Sequence, residues 1–94
     1  MITVQVRSVL SIAKILGGRK ITVTLPEGAA LRDLLQTLAD TREEFYDAVC
    51  SEDGYNESKA AVLVNGSSAA AIGGVGIRLC DGDDVLIMPV MSGG

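Results

Sequence analysis

The sequence predicts an α+β fold, a mixed sheet of four to five strands with one main helix across one face. Three observations carry this. "ITVQV" and "KITVTL" near the N-terminus alternate apolar and polar residues, the pattern of half-buried strands. "AAVLV" and "DVLIM" in the second half are continuous apolar runs of strand length. Between these pairs, leucines recur at helical spacing. Two strands, then a helix, then further strands is an order that suits a sheet with its helix on one side.

Taken in order, Ile2, Val4 and Val6 face the core of the first strand and Thr3 and Gln5 face away. In the second strand Ile21, Val23 and Leu25 face inward, and Lys20, Thr22 and Thr24 outward. Between them, "RSVLSIAKILGG" reads as the irregular long arm of a hairpin, or as a helical turn over Val9 to Leu16. Gly17-Gly18 marks the turn back. Pro26-Glu27-Gly28 ends the second strand. Leu31, Leu34, Leu35 and Leu38 then fall on one helical face, with Glu27 near a helix start that has no obvious capping side chain. "REEFYDAVC" suits a second short helix, and "SEDGYNES" a polar loop.

"AAVLV" suits a strand lying centrally or covered on both faces. Asn65-Gly66 is a strong turn signal, and "SSAAAI" a short return strand. "GGVGIRLCDGDD" is loop-like, "DVLIM" is the last strand, and Pro89 ends it because proline cannot donate to a ladder.

Ninety-four residues make one domain. With 48% hydrophobic and 21% charged residues the chain is globular. A net charge of −4 argues against nucleic-acid binding and suits a basic partner. "VLSIAKIL" is broken by Lys14 and is too short for a membrane span, so the expected location is the cytoplasm. Cys50 and Cys80 form no metal or redox motif, and read as reduced thiols filling space.

No enzyme site assembles from these residues. The chain has no histidine for acid–base work near neutral pH. "GGVG", Gly73 to Gly76, lacks the spacing and the Lys-Ser/Thr of a phosphate loop. "DGDD", Asp81 to Asp84, lacks the calcium-loop pattern and reads as turn chemistry. No metal and no bound cofactor are expected.

What stands out is the ending, "MPVMSGG". Residues 1–90 are expected to form the domain and residues 91–94 a flexible tail. Fully extended, Met91 to Gly94 reach about 13 Å. Gly93 and Gly94 lack a Cβ, so the backbone fits a narrow channel. The terminal carboxylate is unhindered but needs activation by another protein, as an acyl phosphate or adenylate.

"LCDGDDVLIMPVMSGG", Leu79 to Gly94, resembles the C-terminal signature of the ubiquitin-like sulfur carriers. "VLVNG", Val62 to Gly66, is similar to that family's central strand and turn, and "LPEGAALRDLLQTLA", Leu25 to Ala39, to its hairpin end and helix. The family includes the small subunit of molybdopterin synthase, carriers of the thiamine and cysteine pathways, and the archaeal small modifier proteins. The resemblance implies a ubiquitin-like β-grasp fold with the first and last strands central and parallel. It implies that an ATP-dependent activating enzyme adenylates Gly94 and that sulfur then replaces AMP, leaving a C-terminal thiocarboxylate. Gly93 would supply clearance beside it. Asp81, Gly82 and Asp83 match the turn that launches the last strand, and Pro89 the proline that steers the tail off the sheet. Met88, Pro89, Val90 and Met91 are the candidate partner contacts, on the last strand and the sheet face the helix leaves bare. Relatives often carry an aromatic at the position of Met88 and a proline at that of Val90.

The implied function is that of a carrier without catalytic residues of its own, donating sulfur as the small subunit of molybdopterin synthase. Its partners would be the activating enzyme and the synthase large subunit or another acceptor enzyme. The alternatives are a modifier joined to lysines through Gly94, or a sulfur carrier for cysteine or thiamine synthesis.

Overall fold

A computed structural model describes residues 1–90. Strands β1 (Ile2–Ser8) and β2 (Lys20–Leu25) form an antiparallel hairpin, in register from Ile2 opposite Leu25 to Arg7 opposite Lys20. Ile2, Val4 and Val6 are buried as the alternation requires. Ser8 continues the buried side, its hydroxyl donating to the Gly18 carbonyl at 3.2 Å. Ile21 and Val23 are only half-buried because β2 is an edge strand.

The arm of the hairpin is ordered. Leu10–Leu16 form helix α1, which replaces the expected irregular connector and extends the helical-turn alternative to about two turns. Ile12 and Leu16, four residues apart, enter the core. Gly17 stops the helix at φ 84°, a left-handed conformation that favours glycine, and the Gly18 N–H donates to the Ala13 carbonyl at 2.9 Å.

Helix α2 (Leu31–Thr41) buries Leu31, Leu34, Leu35 and Leu38. Ala30, at its cap position, has no side chain to accept a bond. The Asp33 carboxylate accepts instead from the Ala30 N–H at 2.8 Å, and it is the acid in the first turn. Glu27 lies on the loop before the helix, 3.8 Å from the Met1 amine. Helix α3 (Glu43–Val49) buries Phe45 and Val49. The polar segment after it is more than a loop, since β3 (Cys50–Ser51) and β4 (Gly54–Tyr55) pair as a small ribbon. Lys59 Nζ donates to the carbonyls of Cys50 at 2.8 Å and Asp47 at 3.2 Å, satisfying the end of α3.

Strand β5 (Ala60–Val64) turns through Asn65 and Gly66, at φ 51° and 88°, into β6 (Ser67–Ser68). Two successive positive φ values are what a tight hairpin turn needs. Most of the expected return strand is instead helix α4 (Ala69–Ile72). A single 3₁₀ turn over Gly74–Gly76 follows, and the last strand is β7 (Asp84–Pro89).

The sheet order is β2-β1-β7-β5-β6. β1 and β7 are central and parallel; every other pairing is antiparallel. This is the β-grasp arrangement the resemblance implies. The core joins α1, α2 and α3 to one face of the sheet. Of the two expectations for β5, that it lies centrally holds and that it is covered on both faces does not. It lies between β7 and the two-residue β6, and Ala61 and Leu63 on its second face are only half-buried. A continuous apolar run records hydrophobicity on both sides of a strand, not the presence of two layers.

Among the described residues, no helix is long and apolar enough to cross a membrane. Cys50 is buried in the core, and burial pushes its thiol pKa up. Cys80 is exposed, which corrects the reading of it as a space-filling thiol. It sits in the turn before β7, where no second layer covers the chain.

Candidate functional site

The tail follows β7, so the site is built from how β7 is launched, held and released. The launch is a carboxylate-rich turn. Asp81 Oδ1 accepts from the Thr3 N–H at 2.7 Å, and the Gly82 N–H donates to the Thr3 carbonyl at 2.8 Å. Asp83 accepts from the Cys80 N–H at 2.7 Å and from Asn65 Nδ2 at 3.0 Å. Asp84 accepts two bonds from Arg7 Nε, at 2.8 and 3.0 Å, and another from the guanidinium end. Each of the three aspartates is therefore occupied in fixing β7 to β1 or to the β5–β6 turn. Among the described residues no group of three or more His, Cys, Asp or Glu is placed to hold a metal ion. The glycine-rich stretch is equally structural: a Cβ on Gly73 would lie 2.7 Å from Ile77 Cγ2.

The release is set by Pro89, in a way that corrects the sequence expectation. Pro89 does not end pairing with β5, because the Val90 N–H donates to the Lys59 carbonyl at 2.9 Å, one residue further on. Ala60 lies opposite Pro89 in this ladder. In an antiparallel pair bonded on either side of two opposite residues, those residues do not bond each other. The missing N–H of Pro89 therefore points away from β5, to the side of β1. There β1 has already ended, since Ser8 is paired with Ile87 and α1 begins at Leu10. Pro89 removes a donor only where no acceptor strand exists, while β5 carries the chain on to Val90.

The face away from the helices is left bare. Opposite residues of neighbouring strands share a face. Lys20 lies opposite Arg7, Arg7 opposite Leu86, and Leu86 opposite Leu63, one row across four strands. Met88 lies opposite Ala61 in the next row toward the tail. Leu86, Leu63, Met88 and Ala61 are half-buried, and Val90 is 44% exposed. Met88 is outside the core cluster and lies on the bare face. Met88, Pro89 and Val90 thus fall at one end of β7, beside the bare face; Met91, Gly93 and Gly94 lie outside the described residues. Sequence reasoning missed Arg7, Lys20, Leu63 and Leu86 as members of this surface. The signal for Lys20 was the outward half of the second strand, and for Leu63 and Leu86 the second apolar side of a continuous run, which one layer of helices cannot cover.

A family model matches residues 11–94 and is that of the ThiS family. No curated protein matches the sequence. Among solved structures, a protein assigned as molybdopterin converting factor subunit 1 of Pyrococcus furiosus is 29% identical. That match covers 97% of this chain and 100% of the other, with a TM-score of 0.79. The small archaeal modifier protein 1 of Methanosarcina acetivorans is 24% identical, with 100% and 98% covered and a TM-score of 0.83. The BexX/CysO complex of Amycolatopsis orientalis matches at 22% identity, with 97% and 99% covered and a TM-score of 0.72. The central parallel strands, the aspartate turn that starts β7 and a family match over residues 11–94 agree, and this chain belongs to the ThiS family of ubiquitin-like sulfur carriers and modifiers.

Proposed function

We propose that this protein is the sulfur-carrying small subunit of a molybdopterin synthase, with Gly94 as the residue that is loaded. The observation that carries this is the family match, which continues to residue 94 and so takes in the Gly-Gly motif. The 29% identity to the Pyrococcus furiosus protein, against 24% and 22% for the modifier protein and the BexX/CysO complex, supports the molybdopterin branch.

The chemistry belongs to the partners. A Gly94 carboxylate oxygen attacks the α-phosphorus of ATP on the activating enzyme, and pyrophosphate leaves. A sulfur nucleophile then displaces AMP from the acyl carbon, leaving a thiocarboxylate. The synthase large subunit receives the tail and transfers that sulfur to the pterin precursor. This chain binds no cofactor in the scheme. Its contribution is to present the tail: β7 is held from both sides up to Ile87 and from the β5 side alone at Val90.

Intact-mass spectrometry of the protein isolated from its own host tests this. The expected result is a mass increase matching replacement of one C-terminal oxygen by sulfur, lost when the activating-enzyme gene is deleted. Gly-Gly remnants on lysines of other proteins would instead establish the modifier role. Rescue of cysteine or thiamine synthesis, but not of molybdopterin synthesis, by the loaded protein would move the sulfur to those pathways.

A further inference from the structure

The ladder between β5 and β7 ends on a diverted bond. Lys59 and Val90 are opposite residues, one step beyond Ala60 and Pro89, where an antiparallel pair exchanges both of its backbone bonds. The first is made, from the Val90 N–H to the Lys59 carbonyl at 2.9 Å. The second would run from the Lys59 N–H back to Val90, but that N–H donates to the Asn56 carbonyl at 3.0 Å. Ala60 also turns its backbone away from β7. Its N–H donates to the Asn56 carbonyl at 3.3 Å, and its carbonyl accepts from the Tyr55 hydroxyl at 2.6 Å. Asn56 is itself fixed through backbone and side chain alike. Its N–H donates to the Val49 carbonyl at 2.9 Å, at the end of α3, and its Nδ2 to Ser51 Oγ in β3 at 2.9 Å. Its Oδ1 accepts from the Ser58 N–H at 2.8 Å, closing the turn that an asparagine side chain makes with its own backbone two residues on. Lys59 Nζ, on the Cys50 and Asp47 carbonyls, ties the other arm of the turn to the same end of α3.

Among the described residues, the Val90 N–H makes the last bond between the sheet and the chain that leads to the tail. We infer that Asn56 and Lys59 are positioning residues for the reaction at Gly94: they set where the chain leaves the sheet. Pro89 does not set that point from the β5 side, since its missing donor faces the side where β1 has ended. The Asn56 turn does. It takes the donor that would carry the ladder one bond further, and it holds the Lys59 carbonyl that anchors Val90. The scale makes the exit point matter. Residues 91–94 reach about 13 Å fully extended, and a one-residue slip of the exit moves their origin by about 3.4 Å. Reacting atoms must come within about 3–3.5 Å of one another, so a slip of that size takes the carboxylate out of line with ATP on the activating enzyme. A loose exit therefore costs reaction rate, while the surfaces by which the folded domain binds are unchanged. Were the turn only a stitch between α3 and β5, its loss would lower stability and leave the reaction of the tail untouched.

Two measurements on the full chain test this. Amide hydrogen exchange followed by NMR reads the anchor without any enzyme. Asn56→Ala and Lys59→Met should each speed exchange of the Val90 N–H about tenfold relative to that of Val85, inside the strand. Asn56→Asp, which keeps the acceptor for the Ser58 N–H, should be intermediate. ATP–pyrophosphate exchange on the activating enzyme of the same host reads the consequence, and this arm rests on the carrier role proposed above. Asn56→Ala and Lys59→Met should lower kcat about fivefold with KM within about twofold. Ile2→Val, a core truncation at the opposite end of the sheet, should lower the melting temperature and change neither the ratio of Val90 to Val85 exchange nor kcat. Thermal melting checks that each variant is folded; Lys59→Met carries the test if Asn56→Ala is not. Unchanged Val90 exchange in folded variants overturns the inference, as does faster exchange with an unchanged kcat. No pyrophosphate exchange with the unaltered chain overturns the carrier role, while the Val90 measurement still decides whether Asn56 and Lys59 hold the exit.

Discussion

Beyond Asp84 the two faces of β7 are both apolar and have opposite employment. Val85 and Ile87 are fully buried under the helices, while Leu86 and Met88, between and beyond them, face outward and are half-buried. The backbone treats all four alike. What differs is that α1, α2 and α3 supply a second layer on one side only. One face of the strand therefore holds the domain together, and the other is apolar surface that the fold does not use.

The sharpest way to break this comparison is to truncate neighbouring residues. Ile87→Ala should lower unfolding free energy by about 3 kcal/mol, since it deletes buried methylenes and leaves a cavity. Leu86→Ala should lower it by less than about 1 kcal/mol, the range of substitutions away from a packed core. Urea titrations at equal slope measure both. Equal losses would mean that the bare face is packed against something in the free protein.

A smaller loss should come from the launch turn. Asp83→Ala removes the acceptor of the Cys80 N–H and of Asn65 Nδ2, and should cost about 1–2 kcal/mol. Asp83→Asn keeps part of the geometry and should recover a portion of it. A neutral Asp83→Ala would show that β7 is held by its ladders alone.

The closed side should also give itself away by pH. Burial raises the Cys50 thiol and the Tyr55 phenol above their ordinary values, Tyr55 also donating to the Ala60 carbonyl at 2.6 Å. Both groups keep their protons to higher pH in the folded chain than in the unfolded one. Their contribution is complete below the unfolded values and declines as pH rises above about 8.5 for the thiol and about 10 for the phenol. The midpoint of unfolding should fall across that window, and Cys50→Ala with Tyr55→Phe should flatten the fall. An unchanged slope in the double variant would place the alkaline sensitivity elsewhere.

Much of this fold was legible because its elements are locally consistent. The alternation of β1 and β2, the leucine face of α2 and the Asn65-Gly66 turn each state their own period. α1 was legible only as one of two alternatives, because "VLSIAKIL" is short and its apolar residues fit an extended arm almost as well. The direction of Pro89's missing donor could not be read either. It depends on ladder register, which joins residue 89 to residues 8 and 60 and is invisible locally. The same is true of the bare face: Lys20, Arg7, Leu86 and Leu63 are scattered over the chain and become a row only through three strand pairings.

The smallest expected effect has the opposite sign. Leu10 opens α1 at φ 56°, in the left-handed region, with its side chain 63% exposed. A leucine there is strained by about 1–2 kcal/mol through its Cβ. Its side chain contributes little to the core in return. Glycine at this position removes the strain but adds about 0.5–1 kcal/mol of backbone entropy to the unfolded state. Leu10→Gly should therefore raise stability by about 0.5 kcal/mol, seen as a small increase in the urea midpoint. Leu10→Ala keeps the Cβ and should give no such gain. A gain confined to glycine would place Leu10 with Leu86, as an apolar side chain the free fold does not require. A loss with both would show that α1 is anchored by this leucine, and that the closed side of the molecule extends around the end of the sheet.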